Sequence, residues 1–255
     1  MPDTGDLLLL LLAAFAAGSL DAIVGGGGLV QLPALLLVLP GQPVVSLLGT
    51  NKLSSIVGTF SAAVTYCRKV RVDRPTAVRM ASAAFLGSAL GAYLATVLDS
   101  SVLRPVVLVA LVAVFLYTAR RPSLGEVEAL RLTPRRQAAL ALVGGFGIGA
   151  YDGLVGPGTG SFLVFLLVGA AGLSFLHASA TAKVVNTATN LAALILFAAG
   201  GHVLWGLGLA MAAANLLGSQ IGARLALRHG SAWVRKVFLV VVGVLIAKLG
   251  YDLLT

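Results

Sequence analysis

The sequence predicts an all-α polytopic membrane protein composed of two related halves. Three observations support this prediction. The chain of 255 residues is 58% hydrophobic and only 11% charged, with a mean hydropathy of +1.00, whereas a soluble domain has about 25% charged residues. Apolar runs follow one another from residue 7 to residue 254, and one set of motifs occurs twice.

The apolar runs give the predicted helices in chain order. They are 7–24, 29–39, 44–66, 77–98, 102–118, 138–155, 161–171, 175–199, 203–222 and 233–254. Most are long enough for a membrane span, which needs about 20 residues. The runs 29–39 and 161–171 are much shorter, and a helix of that length rises about 16 Å, roughly half the hydrocarbon core. We expect each to be a half-helix that follows a glycine-rich break.

The internal repeat relates residues that are 131 positions apart. D-A-I-V-G-G-G at 21–27 matches D-G-L-V-G-P-G at 152–158, and G-S-A-L-G-A at 87–92 matches G-S-Q-I-G-A at 218–223. The same ungapped register places Thr50 and Lys52 on Thr181 and Lys183. The predicted organisation is therefore a first repeat (1–118), a charged cytoplasmic linker (119–137) and a second repeat (138–255).

The basic residues indicate how the halves are oriented. Fourteen of the 18 Lys and Arg residues lie in the joints 66–79, 119–137 and 224–236, and short basic loops stay in the cytoplasm. All three joints reach that side if each broken run is a re-entrant hairpin, which leaves three full spans per half and inverts the halves. If each broken run crosses the membrane, 224–236 falls outside. The charge pattern favours inverted repeats in the inner (plasma) membrane, and it explains the net charge of +9 without nucleic acid.

The breaks and two intramembrane lysines are the candidate anion-binding residues. The second half-helices begin near Gly27 and Gly28 or near Gly158 and Thr159, where free N–H groups and the helix dipole attract anions. Lys52 and Lys183 lie about 13 Å into their helices, close to the midplane. A charge at that depth needs a partner or a wet cavity. The lysines could neutralise a bound anion or form structural ion pairs with aspartates.

Asp21 and Asp152 are the aspartates that precede the two breaks. An intramembrane carboxylate could relay protons, or it could cap the free N–H groups of the broken backbone. Further polar residues could complete the binding site: Thr50, Asn51, Ser54, Ser55, Ser161, Thr181, Asn186 and Asn190. Four glycines of the third helices instead favour close helix packing: Gly87, Gly91, Gly218 and Gly222.

The paired D-x-x-V-G-x-G breaks, the following T-x-K and the later G-S-x-x-G-A resemble the TauE/SafE family of membrane transporters over essentially the whole chain. The resemblance implies transport of a small sulfur-containing anion such as sulfite or sulfoacetate. The halves differ where Asn51 pairs with Ala182 and Gly26 with Pro157. We expect alternating access at a midplane site, with protons as a candidate coupling ion. An uncoupled anion channel and a non-transporting scaffold or assembly factor remain alternatives.

The sequence contains no motif for metal binding or catalysis. The three histidines, His177, His202 and His229, are scattered without ligand spacing, so no metal site is predicted. The spans contain no nucleophile–base pair, so we predict no catalytic residues, no enzymatic activity and no cofactor. The expected partners are the small anion, protons and the lipid bilayer, and a homodimer is left open.

Overall fold

The computed structural model describes residues 3–99 and 133–254, and the regular elements in these ranges are all helical. The helices are α1 (Thr4–Val24), α2 (Gly28–Val38), α3 (Val44–Cys67), α4 (Arg74–Val97), α5 (Pro134–Leu154), α6 (Thr159–Leu166), α7 (Phe175–Ala199) and α8 (Trp205–Leu254). A π-helical turn, Leu167–Ala171, continues α6. Among the described helices, α1, α4 and α7 are long and apolar enough to span a membrane. The all-α class is confirmed.

The two predicted half-helices are present at the expected positions. Helix α2 has 11 residues, and α6 with its π-helical turn ends at Ala171. Helix α1 ends because Gly25 adopts a left-handed conformation (φ 82°), and Gly158 (φ 84°) precedes α6 in the same way. Glycine reaches this region without the steric cost that a Cβ imposes. Each apolar run is therefore broken at its glycines.

Two boundaries differ from the sequence prediction. Residues 134–137, which we assigned to the charged linker, form the first turn of α5. Pro134 begins this turn, where proline is well tolerated. The predicted joint 224–236 is largely helical, because α8 continues through it and departs from helical geometry only at Gly230 (φ 73°, ψ −172°). The run 102–118 and most of the linker lie outside the described residues.

Close backbone contacts join the halves along two helix pairs. A Cβ at Gly91 would overlap the carbonyl oxygen of Ala150, and one at Gly218 would overlap that of Phe15. Gly87 and Gly222 make equivalent close contacts with α5 and α1. Small residues at such positions let membrane helices approach closely. The packing role predicted for these four glycines is confirmed.

Helices α3 and α7 cross at the centre of the protein in antiparallel directions. Near one end, the backbone N–H of Leu204, just after α7, donates to Thr50 Oγ1 of α3 at 3.0 Å. Towards the other end, Asn190 Nδ2 lies 3.4 Å from Thr59 Oγ1. Apolar clusters flank this crossing. One contains Tyr66, Met80 and Phe175, and the other contains Leu10, Leu47, Phe197 and Met211. Along α3 and α7, the polar residues lie between these two clusters.

Candidate functional site

The two glycine breaks contact each other directly. The backbone N–H of Ser161 donates to the carbonyl of Gly25 at 3.1 Å, and Ser161 Oγ donates to the carbonyl of Val24 at 3.0 Å. A Cβ on Gly25 would overlap the backbone of Gly160. The first turn of α6 therefore faces the carboxyl end of α1, so part of its N-terminal donor set is already used by protein.

Two buried ion pairs in the described part of the chain lie beside the breaks. Lys52 Nζ is 2.7 Å from Asp152 Oδ2, and Lys183 Nζ donates to Asp21 Oδ2 at 2.9 Å. Each pair joins a lysine of one predicted half to an aspartate of the other. The 131-residue register maps one pair onto the other, so the two pairs occupy related positions.

Burial differs between the two pairs. The side chains of Lys52 and Asp152 are each 2% exposed, and Lys183 is 1% exposed, whereas Asp21 is 16% exposed. An unpaired charge at membrane depth costs about 2.5–3.5 kcal/mol on insertion scales. Pairing therefore explains how both lysines are tolerated in this conformation. It also leaves Asp21 as the more accessible of the two carboxylates.

A small polar cavity lies between the breaks and the ion pairs. Its volume is about 20 Å³, and a water molecule needs about 10–15 Å³ of such space. It is lined by Asp21, Gly25, Gly28, Asn51, Lys52, Ser55, Thr59, Asp152, Gly156, Gly158, Thr159, Gly160, Asn186 and Asn190. The cavity is thus wide enough for one water but too small for a polyatomic oxyanion.

A hydrogen-bonded network holds α2 against the long helices. Gln31 Nε2 donates to Asn51 Oδ1 at 2.9 Å, while Gln31 Oε1 accepts from Ser54 Oγ at 3.2 Å and from Asn215 Nδ2 at 3.0 Å. Gln31 is fully buried, and buried polar groups are costly unless they are paired. The network therefore fixes the first half-helix relative to α3 and α8.

Most of the predicted site residues meet at this cavity. Those that line it are Asp21, Gly28, Asn51, Lys52, Ser55, Asp152, Gly158, Thr159, Asn186 and Asn190. Lys183 is completely buried and joins the group through its bond to Asp21. The breaks, both lysines and both aspartates are therefore parts of one cluster.

Three predicted binding residues lie elsewhere. Gly27 packs against the Ala17 carbonyl and the Asp21 Cβ. Thr50 accepts from the N–H of Leu204, and Thr181 lines a second cavity near the start of α7. Both threonines precede a lysine by two residues, and two residues correspond to about 200° around a helix. They consequently face away from the cavity between the breaks.

The N-termini of the half-helices are not capped by side chains. Neither Gly27 before α2 nor Gly158 before α6 has a side-chain cap. Instead, Thr159 Oγ1 donates to the carbonyl of Gly156 at 2.7 Å. In this conformation, the carboxylates of Asp21 and Asp152 face the lysines.

Several cavity residues were not predicted from the sequence. Thr59 lines the cavity, and its repeat partner is Asn190, which was predicted. The same register relates Gly25 to Gly156. Applying the 131-residue offset to Asn190 would have found Thr59, and the repeated D-x-x-V-G motif itself contains Gly25 and Gly156. Gln31 has no polar partner in the second half, and only its position as a lone amide in an apolar run marks it.

Comparisons with known proteins identify the family of the chain. The sequence model of the family described as "Sulfite exporter TauE/SafE" matches residues 10–249. The chain is 40% identical over 242 residues to "Probable membrane transporter protein ORF9" of Sinorhizobium sp, covering 94% of this chain and 90% of that protein. It is 36% identical to a "Probable membrane transporter protein" of Haemophilus influenzae, covering 96% and 95%.

A third relative, "Probable membrane transporter protein YfcA" of Escherichia coli K12, is 35% identical over 246 residues, covering 96% of this chain and 89% of that protein. No solved structure gives a significant match. The family match spans most of the chain, and three relatives named as transporters match nearly its full length. The chain therefore belongs to the TauE/SafE family of membrane transporter proteins.

Proposed function

We propose that the protein is a secondary transporter that moves a small sulfur-containing anion, an oxyanion such as sulfite or an organosulfonate such as sulfoacetate. Transport proceeds by alternating access at the midplane cavity. The family description and the names of the relatives support the transporter class. The observation that carries the proposal is the pair of buried Lys–Asp bridges, which join the two halves around the glycine breaks.

The contacts between helices support an inverted arrangement of the halves. Contacts of residues 15 and 19 with residues 218 and 222 make α1 parallel to α8, and contacts of residues 87 and 91 with 146 and 150 make α4 parallel to α5. Helices α3 and α7 are antiparallel, and short joints connect them to α4 and α8. Together these directions make the repeat partners α1 and α5 antiparallel. Such inversion lets one half rock against the other.

The ion pairs supply a route for coupling. A lysine held by a carboxylate has little net charge to offer an anion. When the carboxylate takes up a proton, the lysine becomes available, and a bound anion can then replace the aspartate as its partner. Asp21 is the carboxylate that protons and anions can reach more easily, because it is more exposed than Asp152. Anion and proton binding at Lys183 are thereby linked.

The size of the cavity indicates that this conformation does not hold the substrate. A space of about 20 Å³ cannot hold the substrate, so the halves must separate before an oxyanion enters. Movement of the halves would also stretch both ion pairs, because each spans the interface. We propose the inner membrane as the location, with the basic joints in the cytoplasm.

The test is anion flux in proteoliposomes, with and without an imposed pH gradient. Sulfite and sulfoacetate are assayed for the wild type, for Lys183→Met and for the charge-neutral pair Lys183→Met with Asp21→Asn. Protein-free liposomes measure the passive leak. If the lysine binds the anion, the double variant regains stability but does not regain flux. A purely structural ion pair instead predicts that the double variant regains both.

The imposed pH gradient distinguishes a proton-coupled transporter from an uncoupled channel. Wild-type flux that rises with the pH gradient supports a proton-coupled transporter. Flux that follows only the anion's own electrochemical gradient indicates an uncoupled channel. If the folded wild-type protein moves neither anion above the leak, the sulfur-anion assignment fails.

A further inference from the structure

A second cavity of about 280 Å³ lies at the end of the protein where α4, α5 and α7 begin. Its polar lining residues are Arg71, Asp73, Thr76, Gln137, His177 and Thr181. The joint between α3 and α4 supplies Arg71 and Asp73, so the cavity opens beside a basic joint. It is about fourteen times larger than the midplane cavity.

The lining chemistry suits a small oxyanion. Arg71 is exposed at the mouth, where its guanidinium offers several N–H donors in a planar fork. The amide of Gln137 and the hydroxyl of Thr181 are further polar groups on the walls. Asp73 contributes one negative charge, and its backbone carbonyl accepts the N–H of Ala77 in the first turn of α4. Arg71 and Asp73 thus carry opposite charges, and the Thr181 hydroxyl donates to the carbonyl of His177 at 3.0 Å.

The inner end of the cavity lies at Thr181 of α7. Thr181 is only 4% exposed and lies two residues before Lys183, the lysine that binds Asp21. Met80 and Leu167 line the cavity and are almost completely buried. These two apolar side chains lie in the same apolar cluster as Tyr66, whose hydroxyl donates to the carbonyl of Ala22.

The repeat partners of these residues are packed in the protein interior. Thr50, the partner of Thr181, is fully buried and bonded to Leu204. Met211, the partner of Met80, is also fully buried, as is Leu10, the partner of Ala141. The inner residues of this cavity and their repeat partners are therefore buried to a similar extent, while Arg71 and Asp73 leave its outer end exposed.

We infer that the 280 Å³ cavity is the vestibule through which the anion is loaded from the side of the basic joints, with Arg71 as the residue that attracts it. Thr181 lies at its inner end, and Met80 and Leu167 form the closed gate to the midplane site. The inference rests on the proposed function.

Thiol labelling tests the vestibule without depending on transport. In a Cys67→Ala background, Thr181→Cys and its repeat partner Thr50→Cys are treated with a small, charged, membrane-impermeant thiol reagent in vesicles of known orientation. We expect Thr181→Cys to react from the basic-joint side and Thr50→Cys to remain unreactive from that side. Sulfoacetate, which is inert towards thiols, should slow the reaction of Thr181→Cys. Failure of Thr181→Cys to react from that side would overturn the vestibule.

Kinetics test Arg71, with Arg79 as the matched control, because Arg79 is an exposed arginine of α4 that does not line the cavity. Arg71→Gln should raise KM about tenfold with kcat unchanged, and it should weaken the dependence on ionic strength. Arg79→Gln should match the wild type. Equal KM values for both variants would overturn the role of Arg71. If the wild type shows no flux, the proposed function fails, but the labelling result still decides whether the vestibule exists.

Discussion

At the scale of single residues, the two Lys–Asp bridges have the same chemistry in different surroundings. Asp152 and Lys52 are both sealed in the interior, whereas Asp21 is partly accessible and its Oδ2 is also 3.5 Å from the Thr59 hydroxyl. Removing one member of a sealed pair leaves the other charge buried without compensation. The cost of losing each aspartate should therefore differ.

We predict that Asp152→Asn destabilises the protein by about 3–5 kcal/mol, as expected for a broken buried ion pair, and that Asp21→Asn costs less. Adding Lys52→Met to Asp152→Asn should recover much of the stability, because no uncompensated charge is left. Unfolding in mixed micelles by SDS titration measures all three variants. A larger loss for Asp21→Asn than for Asp152→Asn would contradict the burial argument.

The charged residues of the site were predictable from the sequence, but their partners were not. Two lysines and two aspartates are conspicuous in apolar runs, and the 131-residue register relates them. That Lys52 pairs with Asp152 and not with Asp21 depends on how the halves pack, which no local pattern encodes. Thr50 and Thr181 were misplaced for a similar reason, because the T-x-K spacing puts each threonine on a different helix face from its lysine.

At the scale of elements, the contact between the two breaks depends on glycine. Gly25 combines a left-handed backbone with direct contact against Gly160 of the other break. Gly25→Ala should therefore destabilise the protein strongly and abolish transport, because it adds both backbone strain and steric overlap. Gly41→Ala is the control, since Gly41 is exposed and a Cβ there meets nothing within 4 Å. Thermal unfolding and flux measure both variants, and near-equal behaviour would rule out this role.

The α4–α5 interface allows a comparison within a single helix pair. Gly91→Ala places a methyl group against the Ala150 carbonyl, whereas a Cβ on Gly147 of α5 meets nothing within 4 Å. We expect Gly91→Ala to lower thermal stability. Gly147→Ala should leave it unchanged or raise it by up to about 1 kcal/mol, because alanine favours helix more than glycine does. If both variants lose stability equally, the close contact of Gly91 with Ala150 does not determine the effect.

Helix boundaries were predictable where glycine or proline marks them. The glycines at 25–28 and 156–158 locate both breaks, and Pro43 lies directly before α3. The end of the predicted run 203–222 was misjudged, because the basic residues of 224–236 indicated a loop. Charged residues are compatible with helix, and only Gly230 interrupts it. Charge indicates which side of a membrane a segment reaches, but it does not indicate whether the segment is helical.

At the scale of the whole molecule, the two halves are related in sequence but not identical in structure. The backbone N–H of Ser161 donates to the carbonyl of Gly25 in the other break. The equivalent bond from the first half is missing, because Val30, the repeat partner of Ser161, donates to Gly27 in its own break. Pro157 of the second break packs on Gly28 of the first break. A transporter that alternates between two states must be asymmetric in each of them, so such departures from the repeat are expected.

The orientation of the halves yields a prediction for the entire chain. If the halves are inverted, Cys67 after the third helix and His229 at the end of the first part of α8 lie on one side, while Gly41 lies on the other. All three positions are exposed. Native Cys67 should therefore react with an impermeant thiol reagent only from the cytoplasmic side, and His229→Cys in a Cys67→Ala background should do the same. Gly41→Cys in that background should react only from the outside. Parallel halves would instead place His229 on the side opposite Cys67. Labelling of these two positions from different sides would therefore exclude the inverted arrangement. It would also exclude alternating access by the rocking of two inverted halves.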